Sequence, residues 1–162
     1  MADLKTTDLC DANPDKVNVA EPIGFKDFGG NTYFNGQIHT LKCFEDNSFV
    51  RKALELNGEG KVLVVDGGGS LRCALLGDML ADLAIKNKWN GIIVYGCIRD
   101  SEAISKLPLG VKAISTIPLK SNKRNEGKEN ITVKFAGIEF VPGQFVYCDV
   151  DGIITSNASI SI

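Results

Sequence analysis

Twenty residues separate Asp78 from the pair Arg99-Asp100. A carboxylate, a guanidinium and a second carboxylate at that spacing have the parts for metal-assisted chemistry on an anion. Arginine grips a carboxylate through two parallel hydrogen bonds, and aspartate is a hard oxygen donor suited to magnesium or manganese. The intervening stretch reads as one helix followed by one buried strand, long enough to return both ends to the same edge of a sheet. Without that return, Arg99-Asp100 is a surface ion pair with Asp100 or Ser101 capping the next helix, and Asp78 is a first-turn acid favoured by the helix dipole.

Other chemistry-bearing residues point less far. Gly67-Gly68-Gly69-Ser70 follows an apolar run and leaves open two readings, an anion cradle of backbone N–H groups or a tight connection. No Gly-Lys-Ser/Thr follows it, and Arg72 stands where a dinucleotide fingerprint needs its third glycine. His39 is the only histidine, so a multi-histidine metal site within one chain is excluded, and its place on a strand favours a packed side chain over a catalytic base. Cys10, Cys43, Cys73, Cys97 and Cys148 are odd in number and lack zinc-site or redox-motif spacing, which fits reduced thiols in a cytoplasmic protein.

The elements that must position these residues follow from periodicity. Asp8–Ala12 reads as a short helix closed by Asn13-Pro14. Gly36–Phe44 alternates like a half-buried strand, and a helix is expected from Asn47 or Ser48 to Leu56, stopped by Asn57-Gly58. Val62–Val65 and Ile92–Cys97 are continuous apolar runs expected to be strands buried on both faces. Between them, Leu76, Met79, Leu80, Leu83 and Ala84 fall on one helical face, with Asp82 and Lys86 opposite and Asn90-Gly91 as the stop. That order predicts a right-handed crossover with parallel pairing. Strands are further expected around 111–117, 131–135, 138–140, 145–149 and 152–155, with turns at Ala136-Gly137 and Pro142-Gly143 and a polar loop over 120–130. The fold class is therefore α/β, a single domain built as a mixed sheet or β/β/α sandwich.

Composition sets the outer bounds. The chain has 162 residues, 44% apolar and 23% charged, with 17 glycines, which suits one globular domain. A net charge of -2 gives no drive towards nucleic acid or an anionic membrane. The one basic concentration, Lys120, Lys123, Arg124 and Lys128, is interleaved with Glu126 and Glu129 and reads as a solvated loop. The polar N-terminal run lacks a signal-peptide pattern, and no segment reaches the length of a membrane span, so a cytoplasmic location is expected.

Val17-Asn-Val-Ala-Glu-Pro, Phe28-Gly-Gly, Cys43-Phe-Glu-Asp-Asn, Val64-Val-Asp-Gly-Gly-Gly-Ser, Gly77-Asp-Met-Leu, Tyr95-Gly-Cys-Ile-Arg-Asp, Gly110-Val-Lys-Ala and Asp151-Gly-Ile-Ile together resemble the RraA-like family. It unites the regulator of ribonuclease activity A with 4-hydroxy-4-methyl-2-oxoglutarate aldolases. The resemblance implies a β/β/α fold of the swivelling-domain kind, a homotrimer, and a substrate cleft between subunits. It further implies a divalent metal, magnesium or manganese, anchored by Asp100. The backbone of Gly77, Asp78, Met79 and Leu80 would hold the pyruvyl carboxylate of a small 2-oxo acid. Arg99 would orient it and stabilise negative oxygen, and Asp78 would order water around the metal.

One departure from the aldolase pattern is visible. Ala103 stands where a further acid is expected, Glu102 comes one residue early, and the chain stops soon after Asp151-Gly-Ile-Ile, without the C-terminal extension that supplies an acid in longer aldolases. The resemblance thus implies enolate formation with water as proton source, oxaloacetate decarboxylation as a second activity, and weaker turnover of the larger hydroxy acid. The competing expectation is a non-catalytic protein that binds ribonuclease E and lowers its activity. Retention of Arg99-Asp100 favours the enzyme.

Overall fold

Val62–Val65 and Ile92–Val94, the two apolar runs without polar alternation, lie at the centre of the sheet in a computed structural model that describes residues 3–162. Met1 and Ala2, which open the polar N-terminal run, lie outside the described residues. In chain order the elements are α1 (Thr6–Ala12), β1 (Val17–Val19), β2 (Lys26–Asp27), β3 (Phe34–Lys42), α2 (Ser48–Leu54), β4 (Lys61–Asp66), β5 (Ala74–Leu76) and α3 (Asp78–Lys86). There follow β6 (Gly91–Ile98), α4 (Ser101–Ile104), β7 (Gly110–Thr116), β8 (Lys128–Glu129), β9 (Val133–Phe135), β10 (Ile138–Phe140), β11 (Phe145–Asp149) and β12 (Gly152–Ser156).

The main sheet is mixed, in the order β1-β12-β11-β3-β4-β6-β7-β2. Its centre, β3-β4-β6-β7, is parallel, and the flanks are antiparallel. Successive side chains of a strand point to opposite faces, so β4 feeds two apolar layers. Leu63 and Val65 pack with Leu54, Ala81, Ala84 and Ile104 from the helices, whereas Val62 and Val64 pack with Phe135 and Phe140 from the β9–β10 hairpin. Each such fully buried aliphatic side chain contributes about 1.5–3 kcal/mol. The hairpin turns through Ala136 and Gly137, both at positive φ (51° and 74°), as a two-residue primed turn requires. Helices, sheet and hairpin make the expected β/β/α layers.

The end of β6 is where the site is built. β7 occupies one side of Cys97 and Ile98, so β5, paired with the same two residues, takes the side that β4 has vacated. β4 stops at Asp66, the glycine loop intervenes, and β5 resumes the position in parallel.

Four expectations are corrected here. Leu76 belongs to β5 rather than to the helix, because a three-residue strand is too short to show its period and Leu76 happens to sit at helical spacing from Leu80. Met79 is 72% exposed, and the buried face of α3 is Leu80, Ala81 and Ala84. The helix also ends at Lys86, with Lys88 at φ 67° turning the chain, so Gly91 serves β6, where a Cβ would lie 2.2 Å from the Phe34 ring. The polar loop over 120–130 holds a short strand, β8, paired with β3.

Candidate functional site

The two ends of the 78–100 segment meet. The Arg99 N–H donates to the Leu76 carbonyl at 2.9 Å, locking the tail of β6 to the tail of β5. Gly77 then turns the chain into α3, and the Asp78 N–H donates to Asp100 Oδ2 at 3.1 Å. Gly77 is required by proximity: a Cβ there would lie 2.8 Å from Asp100 Oδ2 and 3.5 Å from Arg99 Nε. Asp100 therefore caps α3, and its side chain makes no cap to α4. It does so from a left-handed backbone conformation (φ 58°, ψ 38°), which costs a non-glycine residue roughly 1 kcal/mol.

Two groups at this edge remain open. The first intrahelical bond of α3 runs from the Ala81 N–H to the Gly77 carbonyl, so the N–H groups of Met79 and Leu80 have no acceptor among the described residues. The Arg99 guanidinium likewise forms no ion pair among the described residues, which removes the alternative of a surface Arg99-Asp100 pair. Open amides at a helix start and a free guanidinium are both suited to a carboxylate.

These groups line one cavity of about 410 Å³ at the carboxyl ends of the parallel strands, the usual place for ligands in such sheets. Gly77, Asp78, Met79, Leu80, Arg99 and Asp100 all contribute to it, so the residues expected to bind metal and substrate are brought together, whereas Gly67–Ser70 and His39 do not line it. Sequence reasoning missed the opposite wall, formed by Asn47 and Arg51 of the α2 region and by Lys120, Ser121, Asn122 and Lys123. Four cationic side chains, Arg51, Arg99, Lys120 and Lys123, thus face two carboxylates, Asp78 and Asp100, and the cleft attracts anions. The basic concentration at 120–128 was the available signal. The Asn47 side-chain oxygen is buried without a partner beside this wall.

The opposite wall is held by the Cys43–Asn47 motif. Asp46 is fully buried, and its carboxylate accepts hydrogen bonds from Ser48, Arg124 and Glu126. Desolvation pushes its pKa up, but those bonds outweigh it and bring the carboxyl down to about 2. Glu45 bonds Ser70 and pairs with Arg72, tying the glycine loop to the same motif. The glycine loop itself is a tight connection: the Gly67 and Gly69 N–H groups bond the Tyr95 carbonyl, Gly68 bonds Asp66 and Ser70 bonds Gly67, leaving no cradle.

The metal implied for Asp100 can be tested against these donors. Among the described residues, no cluster of three or more His, Cys, Asp or Glu side chains is arranged around a common point. One Asp100 oxygen is engaged by the Asp78 N–H and the other is not. Magnesium binds through one or two carboxylates and keeps several waters, so Asp100 with Asp78 nearby fits such an ion and does not fit a closed zinc site. Glu102 is no additional ligand: it points to Lys106 at 3.9 Å and does not line the cavity. His39 is half-buried against Trp89, and burial pushes the Cys43 thiol up to about 12, so neither is a nucleophile or base for this cleft.

Residues 6–155 match the family model described as RraA-like: Aldolase/RraA. The chain is 56% identical over 158 residues to an Aromatoleum aromaticum protein provisionally named 4-hydroxy-4-methyl-2-oxoglutarate aldolase, covering 98% of this chain and 99% of that one. Among solved structures, a Geobacillus kaustophilus protein named S-adenosylmethionine:2-dimethylmenaquinone methyltransferase superposes with a TM-score of 0.95 at 46% identity, over 97% of each chain. The RNA-processing inhibitor RraA from Thermus thermophilus superposes with a TM-score of 0.94 at 42% identity, over 99% of this chain and 96% of that one.

Proposed function

The chain belongs to the Aldolase/RraA family, and we propose that it is a divalent-metal-dependent lyase cleaving 4-hydroxy-4-methyl-2-oxoglutarate into two pyruvates, with oxaloacetate decarboxylation as a second activity. Three different names attach to one fold in its relatives, so the choice rests on the site. The observation that carries it is the unpaired Arg99 guanidinium beside the open Met79 and Leu80 amides and the Asp100 carboxylate in one cation-rich cleft.

Each group has a part in breaking the carbon–carbon bond. The amides at the start of α3 hold the pyruvyl carboxylate, and Arg99 fixes its orientation. Asp100 would hold magnesium or manganese, with Asp78 ordering the surrounding water, and the ion would supply Lewis-acid polarisation of the 2-oxo group. As the bond between C3 and C4 breaks, the C4 hydroxyl gives its proton to water and becomes the 2-oxo group of one pyruvate, while negative charge moves to the original 2-oxo oxygen, beside the Arg99 cation. The other product is pyruvate enolate, which takes a proton from water at C3 to give the second pyruvate, and the same enolate forms when oxaloacetate loses carbon dioxide. Both substrates carry a second carboxylate, for which Lys120, Lys123 and Arg51 provide positive charge. Met79 lines the cleft yet leaves most of its surface bare, and in the homotrimer that the family resemblance implies, a neighbouring subunit at the cleft would cover it.

The direct test is pyruvate release from oxaloacetate with magnesium or manganese, against the metal-only background and with a chelator. Turnover well above background that disappears on chelation is expected, and a rate equal to background would remove the lyase assignment. The similarity to the Thermus RNA-processing inhibitor supports a second reading, a regulator that binds ribonuclease E. Tight binding to a ribonuclease E fragment by a chain with no turnover would favour it.

A further inference from the structure

Asp46 of the Cys43–Asn47 motif takes no direct part in this chemistry, yet it is among the most deeply embedded carboxylates of the molecule. Asp46 is 0% exposed and does not line the cavity. Its two oxygens serve different parts of the chain. Oδ1 accepts the Ser48 N–H at 2.9 Å and the Ser48 hydroxyl at 2.6 Å, at the first turn of α2. Oδ2 accepts the Arg124 N–H at 2.7 Å and the Glu126 N–H at 3.1 Å, from a segment almost eighty residues away.

The rest of the 120–126 segment leans on the same place. The Asn47 N–H donates to Ser121 Oγ at 3.1 Å, Arg124 Nη2 donates to the Phe44 carbonyl at 3.2 Å, and the Asn125 N–H donates to Ser48 Oγ at 3.3 Å. Residues 122–126 are exposed and belong to no strand, so burial does little to hold them. A fully buried carboxylate is costly unless matched by donors, and here the match joins two walls.

We propose that Asp46 is a positioning residue of the cleft: by bonding α2 through one oxygen and the 124–126 backbone through the other, it holds Lys123 where it meets the substrate's second carboxylate, beside Lys120, which a bridge to Ala74 already ties to β5. The inference rests on the lyase assignment and deepens it. The reacting end of the site has its own ties, because Arg99, Asp100 and α3 are joined to one another through the Leu76 carbonyl and the Asp78 N–H, and it meets the motif through the Asn47 side-chain amide, which donates to the Leu75 carbonyl at 3.4 Å. Loss of the staple therefore weakens substrate capture; because the second carboxylate of oxaloacetate gives up its charge as it leaves as carbon dioxide, losing its cation does not slow bond breaking.

The test is Asp46→Asn in the full-length chain. That change keeps the volume but exchanges an acceptor oxygen for an NH2 group, which faces N–H donors whichever way the amide turns. Two measurements follow: kcat and KM for oxaloacetate with magnesium, and trypsin nicking between Lys120 and Lys128. The expected result is a KM raised at least about fivefold with kcat within about twofold, and nicking accelerated by a similar factor with unchanged circular dichroism. Unchanged KM and nicking, or a fall in kcat at constant KM, would overturn the proposal. Ser48→Ala, which removes the hydroxyl shared by Asp46 and Asn125, should move both readouts the same way by less. It decides the matter by the same criteria if Asp46→Asn does not fold. If wild type shows no turnover, the lyase assignment fails, while trypsin nicking still decides the staple: acceleration supports it and no change overturns it.

Discussion

Asp100 carries two separable loads, and three substitutions pull them apart. As the cap of α3 it accepts the Asp78 N–H at 3.1 Å, and it does so from a left-handed backbone at φ 58°. Removing a side-chain acceptor at a helix start costs about 1 kcal/mol, and alanine in a left-handed conformation costs roughly 1 kcal/mol more than aspartate. Asp100→Ala should therefore destabilise by about 2 kcal/mol, a fall in Tm of roughly 4–8 °C for a chain of this size. Asp100→Asn keeps an acceptor and tolerates the backbone, losing only the charge at the helix end, about 0.5 kcal/mol or roughly 1–2 °C. Asp100→Gly loses the cap but relieves the backbone, and should fall between them. As the metal anchor the residue acts through its charge, which all three variants lack. All three should then lose at least about a hundredfold in oxaloacetate turnover with magnesium, about 2.7 kcal/mol of barrier, despite their different melting temperatures. Thermal melts and pyruvate release on the same preparations check both loads. Asp100→Asn retaining turnover within about twofold of wild type would refute the anchoring role, and equal Tm values for Asp100→Ala and Asp100→Asn would refute the cap.

The same geometry sets further outcomes. Gly77→Ala would bring a Cβ to 2.8 Å from Asp100 Oδ2 and 3.5 Å from Arg99 Nε while the backbone, at φ -131°, stays unstrained. It should lower kcat/KM at least about tenfold and Tm by less than about 4 °C, because the crowding falls on the cleft rather than the core. Asp46 titrates at about 2 in the folded chain and near 3.9 when unfolded. Its stabilisation is thus complete above about pH 4 and lost as the pH falls through about 2, an effect of about 2 kcal/mol. Urea unfolding from pH 5 to pH 2 should show the wild-type advantage over Asp46→Asn shrinking by about that amount, and a constant gap would contradict it.

What was legible in the chain was what local periodicity and short spacing encode. Continuous apolar runs at Val62–Val65 and Ile92–Val94 marked the central strands because nothing polar interrupts them, and both proved buried on two faces. The Asp78 to Arg99-Asp100 spacing marked one wall of the cleft because a helix and a returning strand must end near where they began. Leu76 and Met79 were misplaced for the reason that β5 is three residues long: a strand that short carries no period of its own, and its last leucine matched the helix beyond it.

By itself, then, the sequence determined the layered α/β class and the family motifs, and it left the meeting of Asp78 with Arg99 and Asp100 open against a surface ion pair until the Asp78 N–H was found on Asp100. Only the tertiary structure decided the second wall, Asn47, Arg51, Lys120 and Lys123, and with it the positive character of the cleft. The physical reason lies in Asp46. Its carboxylate reaches across almost eighty residues to the backbone N–H groups of Arg124 and Glu126. Backbone N–H groups are common to nearly every residue, so no pattern of side-chain types in the loop announces that contact. For the same reason, four charges that read as solvated surface included two, Lys120 and Lys123, that line the site.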